Sequence, residues 1–258
     1  MIWTNACNLN LIGDALCSVP YIVYLANKRG GVSVVEGFCK DVRKLIPFSA
    51  YNVYFDQVTP EGTEVKLLDL SKVFHHCNIS PIGAGLHMCQ GYFAIDNEQI
   101  PELPITLPFP ITSVSFTSRH IVISPFSRTD YQHNKSWLDE RWVELGKRLL
   151  ANNMASKIVV VGSFNDDWSV FENCGFTLFP GRPLIEVLEL IRDSRLFLSV
   201  DNGVSHLAHF GGIQHHLLLQ PQCLTEAFIT NPRGRHIRGN PLDVTVDKMY
   251  DLAKEMLV

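Results

Sequence analysis

The stretch Leu196-Phe197-Leu198-Ser199-Val200-Asp201-Asn202-Gly203-Val204-Ser205-His206-Leu207-Ala208-His209-Phe210-Gly211-Gly212 decides how this chain is read. Its first five residues are mostly apolar, the length and composition of a strand buried on both faces. Asp201-Asn202-Gly203 then turns into a short run in which Val204, Leu207 and Ala208 share one helical face. A strand, a small polar turn and a helix start make an anion site. The first backbone N–H groups of a helix lack partners within it and lie at the positive end of its dipole.

Working outward, the same alternation recurs. Ile121 to Ser124, Ile158 to Gly162, Phe176 to Phe179 and His216 to Leu219 read as further strands. Ser136 is expected to cap a helix carrying Leu138, Trp142, Leu145 and Leu149. Pro183 suits the first turn of a helix with Leu184, Val187, Leu188 and Ile191. Thr245 is the expected N-cap of a last helix striped with Val246, Met249, Tyr250, Ala253 and Leu257. Toward the N-terminus, strands are expected over Ile2 to Cys7, Val32 to Val35, Asn52 to Phe55 and Val65 to Leu70. A helix should begin near Gly13, with a kink or a late true start at Pro20. Strands alternating with helices indicate a doubly wound parallel α/β fold.

Pro101, Pro104, Pro108 and Pro110 crowd one short segment that can be neither helix interior nor central strand. This divides the chain into domains 1–110 and 111–258, with the last helix, about 245–258, a candidate to pack back on the first.

The 258 residues carry a net charge of −4, with 46% hydrophobic and 19% charged residues, as in an ordinary globular protein. That balance argues against nucleic acid as a partner, since no basic surplus exists to neutralise phosphates. Arg233-Gly234-Arg235-His236-Ile237-Arg238 is the densest basic run. Seven scattered cysteines without a C-x-x-C pair suit a reducing compartment. With no leader-like segment or membrane-length apolar run, a cytoplasmic protein is expected, and contact with a membrane face stays open.

Ligands of parallel α/β sheets sit beyond the carboxyl ends of the strands. Four polar clusters fall at such ends: Asn10 to Asp14, Ser124 to Lys135, Gly162 to Asp167, and Asp201 to His206. Gly203 allows close backbone approach and Asn202 offers a side-chain amide, so this turn is expected to hold a diphosphate. No D-x-D tripeptide occurs, which removes the usual metal–carboxylate device for such a group. His75-His76-Cys77 with His87 and Cys89 matches no familiar ligand spacing, and no metal is expected.

The ordered set Gly13-Asp14, Ser124, Lys135-Ser136-Trp137 and Asp201-Asn202-Gly203-Val204-Ser205-His206-Leu207-Ala208 resembles the heptosyltransferases of glycosyltransferase family 9. The resemblance is strongest across residues 121–212, and Asn202 stands where that family has Ser or Thr. It implies a GT-B architecture of two Rossmann-like domains facing a central cleft, the first reduced and on the acceptor side. It implies inverting, metal-independent transfer of a sugar, heptose in the family, from a nucleotide diphosphate to an acceptor hydroxyl. In the family this transfer builds the lipopolysaccharide core. Asp14 would then be the general base, and Lys135 would neutralise the departing diphosphate. The remaining donor-site residues would be Gly13, Ser124, Ser127, Arg128, Asp166, Asp201, Asn202, Gly203 and His206, with Asp166 near the ribose. The partners implied are a nucleotide sugar such as ADP-heptose, as substrate rather than cofactor, and a glycan or glycolipid acceptor. Two other readings keep the same donor cleft: a nucleotide-sugar epimerase, and a binding protein without catalysis.

Overall fold

The computed structural model describes residues 2–7, 9, 11–34, 37–55, 57, 60–61, 63, 65–69, 72–73, 77, 86–107, 109–110, 119–127, 135–220 and 231–258. They fall into two compact units, one up to Pro110 and the other from Arg119 onward.

The first unit contains β1 (Ile2–Cys7), α1 (Ile12–Arg29), β2 (Val32–Val34), α2 (Lys40–Leu45), β3 (Val53–Phe55), β4 (Val65–Asp69) and α3 (Met88–Ile95). Its four strands are all parallel, in the order β3-β2-β1-β4. Helix α1 begins at Ile12 and continues through Pro20, which corrects the expected late start. Proline forfeits only the bond from its own nitrogen, and Ala15, Leu16, Val19, Ile22 and Ala26 bury a full stripe on either side of it. Gly30 ends the helix in the left-handed conformation, φ 70°, returning its N–H to the Ala26 carbonyl.

The second unit contains β5 (His120–Ser124), α4 (Asp139–Ala151), β6 (Lys157–Gly162), β7 (Thr177–Pro180), α5 (Leu184–Arg192), β8 (Leu196–Val200), α6 (Gly203–Phe210), β9 (His216–Gln220), β10 (Arg235–Arg238) and α7 (Val246–Leu257). The strands run parallel in the order β10-β9-β8-β5-β6-β7. That is the doubly wound order, in which the chain moves outward from β5 in one direction and from β8 in the other. Strands β5, β8 and β9 are buried along their whole length, which is why they read as unbroken apolar runs.

Two expectations, both about helix starts, are corrected here. Ser136 does not cap α4; Leu138 holds that position without a side-chain cap, and Ser136 Oγ lies 2.9 Å from Ser127 Oγ. The chain stays extended before the helix because Trp137 is buried, its indole N–H donating to the Val244 carbonyl (2.8 Å). Pro183 sits at the N-cap of α5, one position ahead of the first turn. Four residues of the basic run 233–238 form β10, the outermost strand of the sheet, paired in parallel with β9, and Arg235 and Arg238 stay exposed there. The last helix belongs to the second unit, where Val246, Met249, Tyr250 and Ala253 join the core of α4 and the sheet. Thr245 does cap it, accepting from the Lys248 N–H.

One buried polar chain ties β8, β9 and the approach to β10. Asn231 Nδ2 donates to His216 Nδ1 (2.9 Å) and to the Ile213 carbonyl (3.0 Å). That leaves the proton on His216 Nε2, facing Ser199 Oγ at 2.7 Å. Complete burial, with His236 and His215 adding to it, holds His216 well below the ordinary histidine range, so the ring is neutral. A folded-state value below the unfolded one gives stability that is full above about pH 6.5 and lost as the pH falls beneath it. Melting temperature followed from pH 7.5 to 4.5 should therefore decline more steeply in the wild type than in His216→Gln. The difference should approach one proton, about 1.4 kcal/mol per pH unit. Parallel acid branches in the two proteins would exclude this histidine as the cause.

Candidate functional site

The strand order of the second unit reverses between β5 and β8, and their in-register pairing sets Ser124 opposite Ser199. A crevice outside the carboxyl ends of these strands is where a sheet of this topology takes its ligand. The turn after β8 is built from one side chain. Asn202, in an extended conformation, is the N-cap of α6, and its Oδ1 accepts from the N–H groups of Val204 and Ser205 (3.0 Å each). Its Nδ2 reaches across to β5, donating to Ser124 Oγ (2.9 Å) and to the Phe126 carbonyl (2.9 Å). Ser205 completes the capping box, donating from Oγ to the Asn202 carbonyl (2.6 Å) and accepting from the Asn202 N–H (3.1 Å). Asn202 is thus a strap between two strand ends, its amide engaged within the fold. Of the helix-start N–H groups, that of Gly203 remains.

Asp201, nearly buried, lies beside this strap and pairs with Lys135, Nζ to Oδ2 2.6 Å. Four sequence-predicted residues, Ser124, Lys135, Asp201 and Asn202, are therefore joined at the switch point, with Gly203 at the start of α6 and half-buried His206 one turn on. Ser127 is held by Ser136 on the loop leaving β5. Arg128 lies outside the described residues.

Asp166 follows β6, the next strand over. Its Oδ2 accepts from the Ser163 N–H (2.6 Å), closing a tight turn. Burial pushes its carboxyl above the usual range, partly offset by that bond. Gly13 and Asp14 stand in the other unit, in the first turn of α1.

Sequence reasoning missed Phe126. Its carbonyl receives the Asn202 strap, and its ring meets Trp168 edge-on (4.9 Å between centroids) and Phe171 (5.6 Å). A Cβ on Gly162 would come within 2.5 Å of that ring. Phe126 thereby links the turns after β6 and β8. The available signal was an aromatic residue two places beyond the end of a buried strand, opposite a strand-ending glycine.

His87 is engaged as the N-cap of α3, its Nδ1 accepting from the Cys89 N–H (3.2 Å). Burial raises the Cys77 thiol to about 11 and Cys89 further still. His75 and His76 lie outside the described residues. Among the described residues, no group of three His, Cys, Asp or Glu side chains could hold a metal ion. No described helix is long and apolar enough to cross a membrane.

Two parallel sheets, the second wound about a switch point, fit the GT-B architecture. The family model for glycosyltransferase family 9 (heptosyltransferase) matches residues 33–209, more than half of the chain. The chain belongs to that family, and it is a glycosyltransferase.

Solved structures agree on the fold. The ADP-heptose lps heptosyltransferase II of E. coli is 13% identical with a TM-score of 0.68, covering 100% of this chain and 98% of its own. The E. coli heptosyltransferase WaaC with ADP-2-deoxy-2-fluoro heptose is 15% identical with a TM-score of 0.62, covering 98% and 99%. The iron-containing dodecameric glycosyltransferase TibC from enterotoxigenic E. coli H10407 is 17% identical with a TM-score of 0.66. It matches over 90% of this chain but only 61% of its own length. No curated protein sequence matches the chain.

Proposed function

We propose that the second unit binds a nucleoside diphosphate sugar at the β5–β8 switch point, and that the chain transfers the sugar to an acceptor hydroxyl. The observation that carries this reading is the cluster of Lys135, Asp201, Asn202 and Ser124 at the carboxyl ends of those strands. Lys135 supplies the positive charge, Asp201 fixes the direction of its ammonium group, and the Gly203 N–H meets a phosphate oxygen. Ser127 and His206 complete the donor set around the same turn, Arg128 is proposed to add charge to it, and Asp166 faces the ribose. The leaving group is stabilised by a lysine and a helix start, so the transfer needs no metal.

Asp14 of the first unit acts as general base on the acceptor hydroxyl. Direct attack by that hydroxyl on the anomeric carbon inverts its configuration. In this reading the first unit takes a glycan or glycolipid acceptor, and the product belongs to lipopolysaccharide or surface-glycan assembly at the cytoplasmic membrane face. ADP-heptose is the donor that family membership and the fluoro-heptose complex of WaaC favour.

The test is a melting-temperature panel of ADP-heptose, GDP-sugars and UDP-sugars, run with and without EDTA. A donor at 100 times its Kd should stabilise the protein by about 2.7 kcal/mol. The stabilisation should be equal in both buffers. If no nucleotide or nucleotide sugar moves the transition, the donor-site reading is wrong; a shift abolished by EDTA would overturn metal independence alone.

A further inference from the structure

The turn after β6 carries an exposed aromatic residue that the packing of the second unit does not use. Phe164 is 72% exposed, the most exposed aromatic among the described residues. Its ring nevertheless has a fixed seat. A Cβ on Gly181 would come within 2.1 Å of Phe164 Cδ2, so the ring rests on that glycine at the end of β7. Gly181 has φ +58°, a conformation that side chains rarely adopt, so the seat is stabilised by both backbone shape and close contact.

Hydrogen bonds brace the turn itself. The Asp166 carboxylate accepts from the Ser163 N–H (2.6 Å), and the Asn165 N–H donates to Ser163 Oγ (3.3 Å). The Trp168 indole donates to the Ser163 carbonyl (2.9 Å), and the Gly181 N–H to the Gly162 carbonyl (2.7 Å). Single exposed apolar residues are common and need no explanation. An exposed ring held by a braced turn against a left-handed glycine is different, because its ordering entropy has been spent before any ligand arrives.

Position supplies the ligand. Strands β8, β5, β6 and β7 are neighbours in that order. From a diphosphate held between β8 and β5, the attached nucleoside would reach over two strand spacings, roughly 10 Å, toward the ends of β6 and β7. In dinucleotide-binding sheets of this strand order an acidic residue near the second strand meets the ribose, and the donor-site reading gives that role here to Asp166, which follows β6. The next group outward is the base. We infer that Phe164, seated on Gly181, is the stacking face for the nucleobase of the donor, a role that rests on the donor-site reading above. The open face of the ring meets the base, and the opposite side stays on the glycine.

Calorimetric titration of the full chain with ADP and with inorganic pyrophosphate tests this. Base–aromatic stacking lost on truncation weakens binding by about tenfold. Phe164→Leu should weaken ADP to that extent while leaving pyrophosphate unchanged, and Phe164→Trp should restore ADP affinity. The exposure of the position means both variants should keep the wild-type melting temperature. If Phe164→Leu binds ADP as tightly as the wild type, the stacking role is refuted and the donor site stands. If Phe164→Leu weakens pyrophosphate equally, the residue acts on the turn and the stacking role is likewise refuted. A wild-type chain that does not bind ADP would refute the stacking role for an adenine donor, and the donor site would then be judged by the GDP- and UDP-sugars of the melting panel.

Discussion

Replacing Lys135 by alanine should lower the turnover of the full chain by roughly 10²–10³-fold, the usual effect of removing one preorganised group that stabilises developing charge. Two physical effects are superposed in that variant. The first is loss of the ammonium that faces the departing diphosphate. The second is local: Asp201, with only 5% of its side chain exposed, loses its ion-pair partner at 2.6 Å and adds an uncompensated negative charge to an anion site. A buried acceptor stripped of its partner costs about 1–3 kcal/mol, more when charged, so the melting temperature should also fall.

The double variant Lys135→Ala with Asp201→Asn separates the two effects. Neutralising the orphaned carboxylate should recover stability and part of the donor affinity but not turnover, because no positive charge has returned. Recovery of turnover in the double variant would mean that Lys135 serves only to neutralise Asp201. Full turnover in the single variant would remove Lys135 from the mechanism.

Most of this architecture could be read from residues because each buried strand states its own burial. Ile121 to Ser124, Ile158 to Gly162 and Leu196 to Val200 are apolar on both faces, and only a sheet covered on both sides accommodates that. The misreadings have a common cause, since tertiary contact overrode a local signal. Pro20 signals a helix break, but the buried stripe of α1 carries the helix through it. Ser136 is a good capping residue, but Trp137 buries itself and keeps the chain extended there.

The site was legible as a set of residue types and not as a set of bonds. Sequence placed Asn202, Ser124, Lys135 and Asp201 at strand ends. Which of them bond one another depends on β5 and β8 being neighbours, and residues 76 positions apart, such as Asn202 and Phe126, give no local sign of contact. For the same reason Asn202 reads from sequence as an amide offered to phosphate, whereas in the folded unit its amide closes the switch point.

Asp14→Asn is the substitution with the largest expected effect. Asp14 lies in the first turn of an 18-residue helix whose N-cap, Leu11, provides no side-chain acceptor. A carboxylate at that place has an ordinary structural use as well, since it complements the helix dipole by about 0.3–1 kcal/mol. The two roles predict different results. Asparagine has the same shape and still accepts hydrogen bonds, so a dipole role alone predicts a small loss of stability and near-normal turnover. A positioned base contributes ~10²–10⁴-fold to the rate, and an amide cannot take the acceptor's proton. The base role therefore predicts turnover reduced by that factor, with donor affinity and melting temperature almost unchanged. The pH profile gives a second check. In the wild type, kcat/KM should fall on the acid side as the base becomes protonated, and that limb should be absent from the residual activity of Asp14→Asn. An unchanged acid limb, or full turnover in the variant, would assign proton removal to another group and leave Asp14 as a helix-start charge.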